Sequence, residues 1–144
     1  MSGRRRTEQA AEAVEVRIPS KPEFVSVARL RAAAVAARLS FTYDEIEDLK
    51  IAVGEACTAL ILSGNSASHP ITLRFIPEAE ALEVRIETQG PGLDLDVPPA
   101  QGKRPLDQGR LGIFLMKCLV DKIDVHHSEE HGTSELRLVK RRQR

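Results

Sequence analysis

In this 144-residue sequence, Glu55 has a position on its predicted helix at which a ligand pocket could form. The apolar residues of its predicted helix fall within about 80° of one another, and Glu55 lies more than about 100° from the centre of that stripe. Ala59 lies one turn further along on the same side, and Ala52 and Asp48 share this flank. A carboxylate at the edge of the core, next to small residues, could form the floor of a ligand pocket. An ordinary exposed glutamate remains the alternative when the helix is considered alone.

Two glycine-containing segments could bring their backbones close to a ligand. In residues 88–92, Thr-Gln-Gly-Pro-Gly, Gly90 and Gly92 allow close approach to a flat ligand or to another chain. A tight loop explains this segment equally well. Residues 108–112, Gln-Gly-Arg-Leu-Gly, come just before a helix, so their amides would suit an anion, with a charge-assisted contact from Arg110.

The histidines and cysteines do not predict a metal site. His126 and His127 are neighbours on a predicted strand, so their side chains point to opposite faces, which is a poor arrangement for chelation. Cys57 and Cys118 are far apart, and each lies in an apolar helical pattern. We therefore expect two reduced, buried thiols and no bound metal.

Two helices are predicted ahead of the first glycine segment. Residues 20–23, Ser-Lys-Pro-Glu, have the spacing of a capping box, and a helix follows to about residue 38. Its apolar positions are Phe24, Val27, Leu30, Ala34, Val35 and Ala37. A second capping box, Thr42 to Glu45, begins a helix over 43–62 that carries Glu55 and ends at Gly64-Asn65-Ser66. Its core stripe is Ile46, Leu49, Val53, Ala56 and Leu60.

Strands and a third helix complete the predicted order. Apolar periodicity indicates a helix over 111–120 and strands over 14–18, 71–75, 82–86, 123–127 and 134–139. The segment 89–108 is rich in glycine and proline, and a loop of this length is normally functional or mobile. The order β-α-α-β-β-loop-α-β-β predicts an α+β fold, a two-layer sandwich with helices on one face of a mixed, mostly antiparallel sheet.

The composition argues against several classes of function. Lys plus Arg equals Asp plus Glu at 21 each, so no net charge favours nucleic acid or an acidic membrane. One Tyr, four Phe and no Trp offer little for stacking bases. No stretch approaches the about 18 apolar residues of a membrane span, and no apolar run marks a signal peptide. We expect a cytoplasmic protein without a direct nucleic-acid or membrane partner.

Four segments, in this order and spacing, resemble bacterial anti-sigma-factor serine kinases of the RsbW type, which have the GHKL (Bergerat) ATPase fold. The resemblance spans about residues 14–141. The matching segments are Asp48–Thr58 for the N-box, Thr88–Asp94 for the first glycine box, Gly109–Asp124 for the second, and Gly132–Lys140 for the last strand pair.

The resemblance implies both partners and chemistry. Members of this family hold a sigma factor away from RNA polymerase, and they phosphorylate a serine of a STAS-domain antagonist with Mg-ATP. The resemblance further implies a homodimer, a role in the stress response, and one domain over 14–141 with a mobile lid at about 93–108. The polar, charged residues that precede it predict a flexible tail over 1–13. It assigns the general base to Glu55. Its nucleotide contacts fall on Glu55, Ala59, Thr88, Gly90, Gly92, Gly109, Arg110, Leu111, Gly112 and Thr133.

Three departures from the family's pattern fall in the implied nucleotide site. The magnesium-binding asparagine is replaced by Ala59, which offers no oxygen to a hard cation. The aspartate that reads the adenine amino group is replaced by Thr88, whose hydroxyl lacks charge assistance. Gln108 and Arg110 stand at two glycine positions of the second box. We therefore expect weak or lost binding of ATP or ADP, and no dependable magnesium site.

The favoured prediction is an anti-sigma factor with little or no kinase activity, released by its STAS antagonist. An active kinase that has rebuilt its metal site is the alternative, and Asp48 is the residue that could help in that case. A scaffold that binds neither a sigma factor nor ATP is a third possibility. Glu55 favours the enzyme, whereas Ala59 and Thr88 favour the binding protein.

Overall fold

The computed structural model describes residues 13–96 and 108–143. The predicted tail over 1–13, except for Ala13, and the central part of the predicted lid, 97–107, lie outside this range. The elements are β1 (Val14–Ile18), a short 3-10 helix (Pro22–Phe24), α1 (Val25–Ala37), α2 (Tyr43–Leu62), β2 (Ile71–Pro77), β3 (Ala81–Gln89), α3 (Gln108–Leu119), β4 (Lys122–Ser128) and β5 (Thr133–Arg141). The predicted order of elements is therefore confirmed.

The five strands form one sheet in the order β1-β2-β3-β5-β4. Every pairing among the described strands is antiparallel, so the α+β fold with a mostly antiparallel sheet is confirmed and no parallel pair is found there. Alternate residues of β2, β3 and β5 face the helices and are buried, which places the core between the sheet and the helical layer.

The opposite face of the sheet is polar. Arg74, Arg85 and Arg137 lie side by side on three neighbouring strands, and the row ends in Glu15 on one side and Asp124 on the other. Ion pairs with glutamates neutralise the three arginines, for example at 3.8 Å between Arg74 Nε and Glu15 Oε1. A charged face of this kind is stable in water, so only the opposite, apolar face of the sheet has to be buried, and the helices pack against it.

The two predicted capping boxes have opposite outcomes. At the start of α2, Thr42 Oγ1 accepts from the Glu45 amide at 3.2 Å and Glu45 Oε1 accepts from the Thr42 amide at 2.7 Å, so this box is confirmed. The box at 20–23 is wrong, because no side chain caps the 3-10 helix there. Ser20 instead donates its hydroxyl to the Asn65 carbonyl at 2.9 Å, which joins the chain before α1 to the chain after α2.

The burial of α1 differs from the prediction. Its core face is Val25, Ala28, Ala32, Val35 and Ala36. Four of the predicted apolar positions are instead exposed: Val27, Leu30, Ala34 and Ala37. Helix α1 is apolar on both sides, so its periodicity alone could not identify the face that packs on the sheet.

In the described part of the chain, no helix is long and apolar enough to cross a membrane.

Candidate functional site

Helices α2 and α3 lie side by side and run in opposite directions. Near the start of α3, a Cβ atom placed on Gly112 would lie 2.9 Å from Glu55 Oε2. At the other end, Lys140 Nζ donates to the Leu119 carbonyl at 2.8 Å and lies 3.4 Å from Asp48 Oδ2. Glycine at position 112 therefore makes room for the half-buried Glu55 carboxylate between the two helices.

The small residues beside Glu55 are covered by α3 and the core. Ala52 and Ala59 are both buried, so the flank of α2 that the sequence singled out faces the interior. Asp48 does not extend this site. It pairs with Lys140, and the 11 residues from Asp48 to Ala59 correspond to about 16 Å along the helix. The suggestion that Asp48 could help to rebuild a metal site is therefore wrong.

Asn65 holds the first glycine loop. Its Oδ1 accepts from the Gly92 amide at 2.8 Å, and its Nδ2 donates to the Gly92 carbonyl at 3.1 Å. The Thr88 hydroxyl donates to the same Oδ1 at 3.4 Å. Both Asn65 and Thr88 are almost completely buried. A Cβ atom on Gly90 (φ 130°) would lie 2.6 Å from Oδ1, so the loop passes too close to Asn65 for any other residue.

A second set of hydrogen bonds holds the loop from the side of β5. Ser134 donates its hydroxyl to the Gly90 carbonyl at 2.7 Å and also lies 2.8 Å from His127 Nδ1. The Gly90 amide donates to the Gly132 carbonyl at 2.8 Å. The loop is thus fixed by the connection after α2 on one side and by the β4–β5 hairpin on the other.

The structure groups the predicted site residues into two sets. Glu55, Ala59 and Gly112 belong to the α2–α3 pair, whereas Thr88, Gly90 and Gly92 belong to the loop that follows β3. Thr133 lies at the start of β5, opposite Gln89. Arg110 is half-buried on α3, and Leu111 is exposed on the outside of that helix. Gly109 lies in the first turn of α3.

Sequence reasoning missed Asn65, Ser134 and His127. The segment Gly64-Asn65-Ser66 was interpreted only as the end of a helix. Two observations could have drawn attention to it: a lone amide between small residues, and a glycine loop that needs a partner for its backbone groups. Ser66 strengthens the same junction, because its amide donates to the Gln89 carbonyl at 2.7 Å and its hydroxyl accepts from the Gln89 amide at 2.9 Å.

This arrangement fits a magnesium nucleotide poorly. Ala59 has no oxygen with which to coordinate the cation. The amide and the carbonyl of Gly92 are both paired with Asn65, and the Thr88 hydroxyl is paired there as well. Across the described ranges, no buried side-chain nitrogen or oxygen lacks a hydrogen-bond partner. The fully buried polar side chains in these ranges therefore need no ligand as a hydrogen-bond partner.

A separate cleft of about 510 Å³ opens beside the loop, between residues 93–96, α3 and β4. Asp94, Asp96 and Asp124 line it together with Lys117, whose ammonium group contacts the Leu95 carbonyl. None of the predicted site residues lines this cleft.

Residues 18–140 match the family model described as the histidine kinase-like ATPase domain, in agreement with the α+β fold. The chain is 38% identical to the serine-protein kinase RsbW of Halalkalibacterium halodurans over 122 residues, which is 79% of this chain and 75% of the relative. It is 35% identical to RsbW of Bacillus subtilis over 127 residues, with 81% and 79% covered. The chain therefore belongs to the RsbW family, as the resemblance implied.

A solved structure supports the same fold. The crystal structure of the RsbU and RsbW domains of Rv1364c from Mycobacterium tuberculosis superimposes with a TM-score of 0.65. The match covers 92% of this chain and 33% of that one, at 13% identity, so it bears on the fold alone.

Proposed function

We propose that this protein is a cytoplasmic anti-sigma factor that sequesters a sigma factor and is released by a STAS-domain antagonist, with weak or lost ATP binding. The observation that carries the proposal is the pairing of Asn65 with Gly92 and Thr88. A ligand that used these groups would first have to break hydrogen bonds inside the protein, and their replacement gains little net free energy.

The metal position supports the same conclusion. ATP is normally presented for phosphoryl transfer by a magnesium ion that bridges its phosphates, and hard oxygen ligands hold that ion. Ala59 cannot supply one, and Asp48, which shares this flank of α2 with Glu55, is paired with Lys140. Binding of a protein partner does not need this ion, so loss of the metal ligand is compatible with the anti-sigma activity.

An active kinase of the STAS antagonist is the second candidate, and Glu55 favours it. Within the described chain, the Glu55 carboxylate has no hydrogen bond or ion pair, and Gly112 leaves it room at the start of α3. A half-buried carboxylate without a partner could accept a proton from a substrate hydroxyl. We propose that it is instead what remains of a site that has lost its metal.

Phosphate transfer tests the two candidates against each other. Wild type and Glu55→Gln are each incubated with labelled ATP, magnesium and the STAS antagonist from the same genome, and binding to the sigma factor is measured in parallel. We expect no transfer by either chain and sigma binding by both. Transfer by wild type that is lost in Glu55→Gln would establish the kinase, because removal of a general base costs about 10²–10⁴ in rate. Binding of neither partner would leave a scaffold on this fold.

A further inference from the structure

Strand β4 is an edge of the sheet, and its outer side is open to a further strand. Within the ranges that the structure describes, β4 pairs only with β5. Alternate residues of an edge strand direct both their amide and their carbonyl away from the sheet. The seven residues of β4 contain no proline, and their pairing with β5 runs without a bulge from Lys122 to Ser128. Neither of these devices therefore prevents another strand from pairing with β4.

The cleft of about 510 Å³ runs along this edge. Ile123, Asp124 and Val125 are consecutive residues of β4, and all three line it. Consecutive side chains of a strand point to opposite faces of the sheet, so a cavity that reaches all three lies beside the strand and not on one face. The three residues extend over about 10 Å. A short extended chain segment would fit beside them.

The opposite wall of the cleft is the segment 93–96, which the fold holds in place. Before this segment, both backbone groups of Gly92 are bound to the side chain of Asn65. Leu93 is buried in the core, and the ammonium group of Lys117 contacts the carbonyl of Leu95. The gap between this wall and β4 is therefore part of the folded structure.

The lining of the cleft combines aliphatic and charged side chains. The aliphatic members are Leu93, Leu95, Ile123 and Val125, and the charged members are Asp94, Asp96, Asp124 and Lys117. Asp94 and Asp96 form no ion pair with a described residue. With three carboxylates and one ammonium group, the lining is acidic as well as partly apolar.

This lining decides between the possible occupants. Nucleic acid is disfavoured, because the carboxylates would repel its phosphates. A second copy of this chain, paired through β4 about a two-fold axis, would bring the carboxylates of both chains together. A small organic cation would leave the backbone edge of β4 unused. An extended segment with alternating basic and apolar residues satisfies the edge, the aliphatic side chains and the carboxylates together, because its side chains point alternately to two sides.

We propose that the outer edge of β4 and the adjoining cleft bind an extended segment of a partner protein by strand addition, with its basic residues directed to Asp94, Asp96 and Asp124. The backbone of β4 supplies the hydrogen bonds, and the aliphatic lining receives the alternate apolar side chains. This inference goes beyond the proposed function and does not depend on it, because the cleft contains none of the residues assigned to the nucleotide site.

Short synthetic peptides test the proposal on the full chain. The probe is acetyl-Lys-Val-Lys-Val-Lys-amide. One control peptide has glutamate in place of each lysine, and another carries a methyl group on every backbone amide nitrogen, which keeps the charges and removes the hydrogen-bond donors. Binding is followed by the amide chemical shifts of the isotope-labelled chain, at low and at high salt, and sedimentation of the chain is measured in parallel.

Two double variants of the protein complete the test. Asp94→Asn/Asp96→Asn removes two carboxylates from the cleft. Glu78→Gln/Glu87→Gln is the matched control, because it removes two exposed carboxylates that do not line the cleft. Thermal unfolding shows that each variant is folded.

We expect saturable binding of the lysine peptide, with its largest shifts at residues 123–125 and with lower affinity at high salt. Asp94→Asn/Asp96→Asn should weaken this binding at least about threefold, and the control variant should weaken it by less than about 1.5-fold. Neither control peptide should bind.

Three results would overturn the proposal. Equal binding of the methylated peptide would exclude strand addition and assign the cleft to small cations. No saturable binding of the lysine peptide up to about 5 mM, or largest shifts away from β4, would exclude the site itself. A dimer of the chain that the lysine peptide dissociates would assign the edge to a second copy. None of these measurements involves the sigma factor, so the proposed function is tested separately.

Discussion

Substitution of Asn65 by alanine should destabilise the protein more than any exposed polar change in the same region. The change removes the acceptor for the Gly92 amide and the Thr88 hydroxyl, and the donor to the Gly92 carbonyl. Asn65 is fully buried, so water does not readily replace the lost groups. Two good hydrogen bonds contribute about 1 kcal/mol each, and a buried amide left without a partner costs about 1–3 kcal/mol. We expect a loss of about 2–4 kcal/mol in the free energy of unfolding.

Urea unfolding at neutral pH measures this loss, with Gln89→Ala as the control. The Gln89 side chain is exposed, and the residue is bound to Ser66 only through its backbone, so its truncation should cost less than about 0.5 kcal/mol. Hydrogen exchange at the Gly92 amide should accelerate in Asn65→Ala, because that amide loses its acceptor. A free energy of unfolding for Asn65→Ala within about 0.5 kcal/mol of wild type, with unchanged exchange at Gly92, would refute the role assigned to Asn65.

Two further predictions concern ionisable groups. Burial alone would raise the pKa of Glu45, but hydrogen bonds from the Thr42 and Gln143 amides outweigh it and hold the pKa below its ordinary value of 4.5. Its stabilising contribution is therefore present above that value and is lost as the pH falls below it, so Glu45→Gln should be less stable than wild type at pH 7 and should lose less stability between pH 7 and pH 3. Equal acid sensitivity of the two chains would contradict this. Burial also raises the pKa of the Cys57 thiol to about 12, whereas Cys118 is exposed, contrary to the expectation of two buried thiols. Iodoacetamide at pH 8 should modify only Cys118 in the folded protein and both cysteines after unfolding, and rapid double labelling of the native chain would contradict this.

Local sequence patterns predicted the elements well. Helix α2 begins at the predicted capping box and ends at the predicted residue, because Thr42, Glu45 and Gly64 act within one or two turns of the chain. The strands of the sheet were found from alternation, since one face of the sheet is buried and the other is charged. Helix α1 was the exception, because apolar residues occur on both of its sides and only the packed structure distinguishes its two faces.

The site could be predicted only in part. Local patterns drew attention to Glu55 and the two glycine segments, but the contacts around them join residues that are distant in sequence. Asn65 is 27 residues from Gly92, and Lys140 is 92 residues from Asp48. A single sequence gives no information on such pairings, so Asn65 was interpreted as a helix end and Asp48 as free to help a metal.

We propose that the family's nucleotide site has become weak or has been lost in this protein. Titration calorimetry with ATP, with and without magnesium, tests it most directly, and the double variant Ala59→Asn/Thr88→Asp restores the two side chains that the family pattern expects. We predict no binding of micromolar or higher affinity by wild type, a small effect of magnesium, and tighter, magnesium-dependent binding by the double variant. Micromolar or tighter binding of ATP by wild type that depends on magnesium would contradict the claim.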